Sequence, residues 1–300
     1  MTTSLKIWFS TLRVGYVRRD AYEPLVTGAS SGFGRSMVQL LLSKGDKVIA
    51  TLRKPEALSG LTTKYSPSQL LVVQLDVTKS SEVSAAFSKA KEVFGRIDVV
   101  FNNAGQNVLG EVESLPEEEA RQLFDVNFWG AANVTKEAVR FFREVNSPVG
   151  GRLLQVSSRL GIVGGAAGGY YSASKFALEG LSESLVRELD PAWNIKVTLI
   201  EPGPFRTKIV KENIRVSSQH PAYSDPASPS SQFRAYITSA AVDGDADKAT
   251  ATIEKLVHLD NPPVRLPLHK KSVASAREKA QSILDDVAAY ESWSDDLYFD

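Results

Sequence analysis

Short apolar runs alternate with longer amphipathic stretches along most of this chain. The runs have the length of buried strands, and the stretches between them repeat apolar positions with a helical period. Strands are predicted near 47–52, 70–75, 97–101, 151–157, 195–201 and 264–268, and helices near 34–44, 80–93, 117–145 and 170–189. A repeated β-turn-α pattern is typical of a parallel sheet with helices on both faces. We therefore predict a single doubly wound α/β domain.

The N-terminal segment, residues 1–26, is atypical because two stretches compete for the first strand. One is Tyr22–Val26, which contains Pro24, and the other is Leu5–Phe9. Proline cannot donate a ladder hydrogen bond, so Pro24 would shorten a central strand to two or three residues. A strand at Leu5–Phe9 would instead leave a long excursion before residue 26. Either solution would strain the turn that follows, and we assign residues 27–300 to the main domain.

Residues at about 204–245 also interrupt the alternation of strands and helices. The stretch holds Pro221, Pro226 and Pro229 together with many serines, and it follows the Pro202-Gly203 turn. This composition is typical of loops rather than of long regular elements. We predict a mobile surface insertion here.

Charge and cysteine content narrow the functional classes. Lys and Arg together number 35, and Asp and Glu also number 35. This balance leaves no net positive charge that would attract nucleic acid or an anionic membrane. No apolar run approaches the length of a membrane span. The absence of cysteine excludes disulfides and fits a reducing compartment, so we expect a cytoplasmic protein. A targeting segment is the alternative, because basic residues precede the first acid, Asp20. The three histidines lack ligand spacing, and no metal is predicted.

A glycine-rich turn follows the apolar pair Leu25-Val26 and leads into a helical stretch. Strand, glycine turn and helix place backbone N–H groups and a helix N-terminus against the pyrophosphate of a dinucleotide. Glycine is needed because a β-carbon would hold the backbone away from the phosphate oxygens. The candidate cofactor residues of this turn are Thr27, Gly28, Ser30, Ser31, Gly32, Phe33 and Gly34.

The residue after the second predicted strand indicates which dinucleotide is bound. An acid at this position would bind a ribose 2′-hydroxyl, whereas Arg53 accommodates a 2′-phosphate, with Lys54 beside it. We therefore predict NADP(H) in preference to NAD(H). Asp76 ends the third predicted strand, where its carboxylate could meet the adenine.

Tyr171 and Lys175 are four residues apart and share one face of a predicted helix, with Ser158 upstream. A phenol has a pKa near ~10 and is a weak acid at neutral pH. A neighbouring ammonium favours the phenolate, so we expect Lys175 to lower the pKa of Tyr171. The three side chains suit proton transfer to a carbonyl oxygen.

In this order, the motifs resemble the short-chain dehydrogenase/reductase family, over roughly residues 25 to 290. The resemblance rests on the glycine turn, Asp76, Asn102-Asn103-Ala104-Gly105, Asn127, Ser158, Tyr171, Lys175 and Pro202-Gly203. Phe176–Leu181 and Glu201–Thr207 look like the hydroxysteroid- and retinol-dehydrogenase-like branch. The family implies a Rossmann fold, with the insertion at about 204–245 as a substrate lid. It also implies cofactor contacts from Asn103, Ala104, Gly105, Tyr171, Lys175, Pro202, Gly203 and Thr207, and a catalytic role for Asn127 in positioning a water next to Lys175.

These patterns together predict an NADP(H)-dependent oxidoreductase that interconverts a hydrophobic ketone or aldehyde and its alcohol. Apolar residues near the expected cleft, such as Leu160 and Phe205, favour a small hydrophobic substrate. A homodimer is a further expectation. The alternative is a catalytically impaired or non-catalytic NADP-binding protein, because the first strand is interrupted.

Overall fold

The computed structural model describes residues 22–207, 214–239 and 242–299. Within these ranges, seven strands form one parallel sheet. Its strands are β1 (Pro24–Thr27), β2 (Val48–Leu52), β3 (Leu70–Gln74), β4 (Val99–Asn102), β6 (Gly151–Val156), β7 (Ile195–Pro202) and β9 (Arg265–Leu268). They lie side by side in the order β3-β2-β1-β4-β6-β7-β9. Two short strands, β5 (Asn107–Leu109) and β8 (Ile214–Val216), pair beside it. The predicted doubly wound α/β fold is confirmed.

Helices cover both faces of the sheet. They are α1 (Gly32–Ser43), α2 (Ser59–Thr62), α3 (Ser80–Phe94), α4 (Glu117–Phe124), α5 (Ala131–Glu144), α6 (Gly169–Glu188), α7 (Pro229–Thr238), α8 (Ala246–Glu254) and α9 (Lys270–Tyr290). Buried residues of α1 and α8 contribute to one apolar cluster, and those of α3 and α5 to the other. The helix predicted at 117–145 is divided by a π-helical turn, Asp125–Gly130. The sequence patterns did not predict α7, α8 or α9.

The first strand is the stretch that contains Pro24, while Leu5–Phe9 lies outside the described residues. β1 has four residues and pairs with β2 on one side and β4 on the other. Pro24 is its first residue, a position where the missing N–H is tolerated. The two N–H groups before it donate to side chains, Tyr22 N to Asp46 Oδ1 at 2.8 Å and Glu23 N to Asp98 Oδ2 at 3.1 Å. The carboxylates of Asp46 and Asp98 thus accept the backbone hydrogen bonds just before the strand, in place of carbonyl groups of neighbouring strands.

The helices are amphipathic, with their apolar residues packed against the sheet. No helix in the described ranges is long and apolar enough to cross a membrane.

Candidate active site

A cleft of about 910 Å³ opens at the carboxyl ends of the strands. In an open parallel sheet, ligands bind at this edge, where the strand order reverses. β1 and β4 are neighbours here although β2 and β3 lie between them in the sequence. The cleft is therefore the natural place for the predicted ligand.

The glycine turn forms one wall of the cleft and is shaped for close approach. Gly28 and Gly32 have positive φ values of 66° and 52°, which favour glycine. A β-carbon on Gly34 would lie 2.3 Å from the carbonyl oxygen of Gly28, so no larger residue fits without movement. α1 begins at Gly32 and presents its N-terminal N–H groups at the turn. These features fit a dinucleotide pyrophosphate.

Most of the predicted cofactor residues line this cleft. They are Gly28, Ser30, Ser31, Gly32, Phe33, Arg53, Asp76, Asn103, Ala104, Gly105, Tyr171, Lys175, Pro202, Gly203 and Thr207. Gly34 lies behind the wall and allows the turn to pack. Thr27 is fully buried, and its Oγ1 accepts from Asn103 N at 2.8 Å and Ala104 N at 3.0 Å. Thr27 therefore holds the Asn103–Gly105 loop in place beside the cleft.

Arg53 and Asp76 lie at the end of the cleft formed by β2 and β3. Arg53 is exposed and follows Leu52, the last residue of β2. Asp76 Oδ1 accepts hydrogen bonds from the backbone N–H of Thr78 at 3.1 Å and from its hydroxyl at 2.8 Å. The Asp76 carboxylate is thereby fixed in orientation.

Ser158, Tyr171 and Lys175 meet in the middle of the cleft. Ser158 follows β6, and its hydroxyl faces the phenol of Tyr171, which lies in the first turn of α6. One helical turn later, Lys175 Nζ lies 5.9 Å from the centroid of the Tyr171 ring and donates to Val156 O at 2.9 Å. The structure therefore brings these three predicted residues together in one cleft.

The expected pKa of Tyr171 is wrong in direction. Burial raises the pKa of Tyr171, and the hydrogen bond from Ser158 opposes that rise only in part. The Lys175 ammonium is directed at a backbone carbonyl, so its effect on the phenol is small. Burial also lowers the pKa of Lys175 to about 8, with the Glu179 carboxylate opposing the shift. Both groups are therefore less charged than they would be in water.

Asn127 lies in the π-helical turn and is fully buried, outside the lining of the cleft. Its Oδ1 accepts from Gln106 N at 2.8 Å, and its Nδ2 donates to Gln106 O at 3.0 Å and to Ser174 Oγ at 3.1 Å. Asn127 thus joins the loop after β4 to the helix that carries Tyr171 and Lys175. Sequence reasoning missed Gln106 and Ser174, since neither belongs to a motif that it used.

A buried ionic cluster lies further along the same face of α6. Ser157 donates to Glu179 at 2.5 Å, and Arg265 on β9 binds Glu179, Glu183 and Glu201. Glu201 is 1% exposed, and its Oε2 has no hydrogen-bond partner among the described residues. Burial, together with the nearby Glu179, raises the pKa of Glu201 to about 7 although Arg265 opposes the shift.

The predicted lid region forms the outer wall of the cleft through β8 and α7. Phe233, Tyr236 and Ile237 of α7 line the cleft. Arg234 makes two hydrogen bonds of 2.9 Å to Glu111, one from Nε to Oε1 and one from Nη2 to Oε2. Burial alone would raise the pKa of Glu111, but hydrogen bonds from Arg234 and Ser230 lower it to about 2. This ion pair, here called the lid anchor, fixes α7 to the chain after β5.

Comparisons with known proteins agree with this geometry. The sequence profile of the family described as short chain dehydrogenase matches residues 24–217. An uncharacterised oxidoreductase of Schizosaccharomyces pombe is 40% identical over 88% of this chain and 87% of its own length. A reductase of Ornithobacterium rhinotracheale, named as an NADPH-dependent 3-dehydrocapnine reductase, is 33% identical over 62% of this chain and 66% of its own length.

Solved structures show the same fold. A short-chain dehydrogenase from Streptomyces avermitilis has a TM-score of 0.84 and 34% identity, covering 94% of this chain and all of the other. Two more distant structures, at 23% and 24% identity, are complexes of Burkholderia proteins with NAD and with NADP respectively. This chain therefore belongs to the short-chain dehydrogenase/reductase family and is an oxidoreductase of that family.

Proposed function

We propose that this protein is an NADP(H)-dependent oxidoreductase that interconverts a hydrophobic ketone or aldehyde and its alcohol, with Tyr171 as proton donor and acceptor. One observation carries the proposal. Ser158, Tyr171 and Lys175 line the same cleft as the glycine turn and Arg53. A proton-transfer group and a dinucleotide cradle in one cavity fit hydride transfer to a carbonyl.

The side chains have separate roles in this reaction. Bound NADP(H) would supply the hydride in reduction and accept it in oxidation. Tyr171 gives its phenolic proton to the carbonyl oxygen in reduction, or takes the proton from the alcohol in oxidation. Ser158 donates a hydrogen bond to the same oxygen and stabilises the charge that develops there. Ser158 and Tyr171 line the same cleft, so both groups can meet one substrate oxygen.

Lys175 and Asn127 support Tyr171. With a pKa of about 8, Lys175 is mostly an ammonium at neutral pH, and its donors can also hold ribose hydroxyls of the cofactor. Through Gln106 and Ser174, Asn127 keeps α6 and the loop after β4 in register. The water that Asn127 would position beside Lys175 stays a prediction.

The positive charge of Arg53 supports the choice of NADP(H). Arg53 lies at the end of β2, where a 2′-phosphate would need a cation, and it lines the cleft. The named NADPH dependence of the Ornithobacterium rhinotracheale relative supports the same choice.

The test is oxidation of NADPH by the purified protein with a panel of hydrophobic ketones and aldehydes. Tyr171→Phe should lower kcat by at least about a thousandfold, in line with the loss of a general acid, while NADPH binding changes little. Tyr170→Phe is the matched control, because the neighbouring tyrosine lies outside the cleft lining, and it should keep its activity. Substantial turnover by Tyr171→Phe would remove the proton-transfer role.

The same assay separates this proposal from the alternative of a non-catalytic NADP-binding protein. Tight binding of NADPH with no turnover of any carbonyl would favour that alternative. The alternative rests on the expectation that the first strand is interrupted. That expectation is not supported by β1, which pairs with a neighbouring strand on both sides.

Assembly and location stay predictions. A homodimer would appear as a species of twice the monomer mass in sedimentation velocity. A cytoplasmic location would be checked by fractionation of the source cells.

A further inference from the structure

Arg159 directly follows Ser158 and lines the substrate half of the cleft. Its Nη1 donates to Ser275 Oγ on α9 at 3.4 Å, and it forms no ion pair within the described part of the chain. Burial lowers the pKa of Arg159, with Tyr236 and Glu278 opposing the shift. A guanidinium has five N–H donors, so most of them are available for another acceptor. A partly buried cation without a carboxylate partner is costly unless a ligand supplies one.

Lys271 places a second cation in the same half of the cleft. Its Nζ donates to the Tyr236 hydroxyl at 2.7 Å and lies 3.9 Å from the centroid of that ring. Tyr236 belongs to the lid helix α7, whereas Lys271 is in the first turn of α9. An ammonium has three donors, so Lys271 can bond a ligand while it keeps Tyr236.

The surroundings of these cations are mainly apolar. The residues that line this half and carry no charge include Leu160, Phe205, Phe233, Ile237 and Ala274. Glu278 also lines it, and among the described residues it forms no ion pair with Arg159 or Lys271. Arg159, Lys271 and Glu278 together carry a net positive charge beside an apolar wall, and Arg215 of β8 adds a further cation to the lining of the cleft.

We propose that Arg159 and Lys271 bind an anionic group of the substrate. The substrate class is then a hydrophobic carbonyl or alcohol that carries a carboxylate, sulfonate or phosphate. This inference deepens the proposed function, because it concerns the same cleft. Arg159 and Lys271 act as specificity-determining residues and take no part in proton transfer.

The test measures binding, so that its result is independent of turnover. Decanoate, decyl sulfonate, decyl phosphate and decanol are titrated calorimetrically into the full-length protein, with and without NADP⁺. At least one of the three anions should bind about tenfold more tightly than decanol, as expected for charge-assisted hydrogen bonds. The ranking of the anions identifies the acid. Equal binding of decanol and all three anions would overturn the proposal.

Variants then locate the anion. Arg159→Met should weaken binding of the preferred anion by about tenfold or more and change decanol binding by less than about twofold. Arg159→Lys should recover part of the loss. Arg277→Met is the matched control, because this exposed arginine of α9 lies outside the cleft lining. If Arg159→Met does not fold, Lys271→Met serves in its place, with the same expected pattern.

Other outcomes would contradict the assignment. An anion that binds Arg159→Met as tightly as the wild type is held elsewhere, for example at Ser158 and Lys175. A similar loss in Arg277→Met would indicate a general effect of surface charge. Failure of every carbonyl to be reduced would count against the proposed function alone, since the binding comparison does not depend on it.

Discussion

Arg53 and Lys54 are adjacent exposed cations after β2, and of the two, Arg53 lines the cleft while Lys54 does not. The proposed preference for NADP(H) over NAD(H) therefore rests on Arg53. In the sequence, Arg53 is the predicted contact for the 2′-phosphate, with Lys54 beside it.

Arg53→Asp should raise the Michaelis constant for NADPH by at least about tenfold, because a charge-assisted contact is replaced by repulsion of the 2′-phosphate. The constant for NADH should change little or fall, since an acid at this position suits a ribose hydroxyl. Steady-state kinetics with both cofactors provide the measurement, and Lys54→Asp is the control. Equal losses with NADPH and NADH would refute the assignment of Arg53.

At the scale of elements, the buried ion pair between Arg234 and Glu111 helps to attach the lid helix α7 to the chain after β5. Glu111 is 4% exposed and also receives hydrogen bonds from Ser230 and from His220 N. Removing one partner of a buried pair typically costs about 3–5 kcal/mol, because the other charge is left without compensation. Such a loss would release α7 before it unfolds the sheet, since α7 lies outside both large apolar clusters.

Glu111→Gln should therefore raise KM for the carbonyl substrate by about tenfold or more, a loss of ~1.4 kcal/mol or greater, and leave NADPH binding nearly unchanged. Hydrogen exchange should increase in α7 and stay the same in β1 and β4. Glu117→Gln is the control, since its ion pair with Arg121 lies on the exposed surface of α4 and contributes little. Unchanged exchange in α7 would show that the lid is held by other contacts.

At the scale of the whole molecule, the ionic cluster around Arg265 links α6, β7 and β9. Glu201 has a pKa near 7 in the folded protein and an ordinary value of 4.5 when exposed. The folded state therefore binds more protons than the unfolded state between these values. The stability that Glu201 contributes is complete below pH 4.5 and is lost as the pH rises through 7.

Glu201→Gln removes this charge and keeps the shape of the side chain. The variant should be close to the wild type at pH 5 and more stable by roughly 2 kcal/mol at pH 8, since each unit of pKa shift corresponds to about 1.4 kcal/mol. Urea unfolding between pH 5 and pH 8 tests this difference. Glu183→Gln, at the half-exposed end of the cluster, retains Glu201, so its stability should differ from that of the wild type by a similar amount at both pH values. Parallel stability curves for wild type and Glu201→Gln would contradict the prediction.

The sequence was sufficient for six strands of the main sheet and for most of the predicted cofactor residues that line the cleft. Apolar runs such as 195–201 reflect burial of a strand on both faces of the sheet. The glycine turn reflects the close approach of a ligand to the backbone. Both patterns can be recognised within a short stretch of sequence. The helix division at Asp125–Gly130 and the roles of Glu111 and Arg159 could not be predicted in this way. Arg234 lies far from Glu111 in the chain, so no local pattern signals their contact. Pro24 predicted a strand of two or three residues, whereas β1 has four. The aspartates that accept the N–H groups before Pro24 are distant in sequence, so no local pattern signals them.

The lid anchor is hydrogen-bonded, through the residue before Glu111, to the loop that leads into α6. This contact bears on which step of the proposed reaction limits its rate. Gly110 N donates to Ala167 O at 2.8 Å, and the next residue is Glu111. Ala167 lies four residues before Tyr171 and has a positive φ of 52°. We predict that release of product past α7 disturbs the loop that leads into α6, and that this opening rather than hydride transfer limits turnover. Deuterium at the transferred position of NADPH should then leave kcat almost unchanged in the wild type, and Glu111→Gln should expose a primary isotope effect.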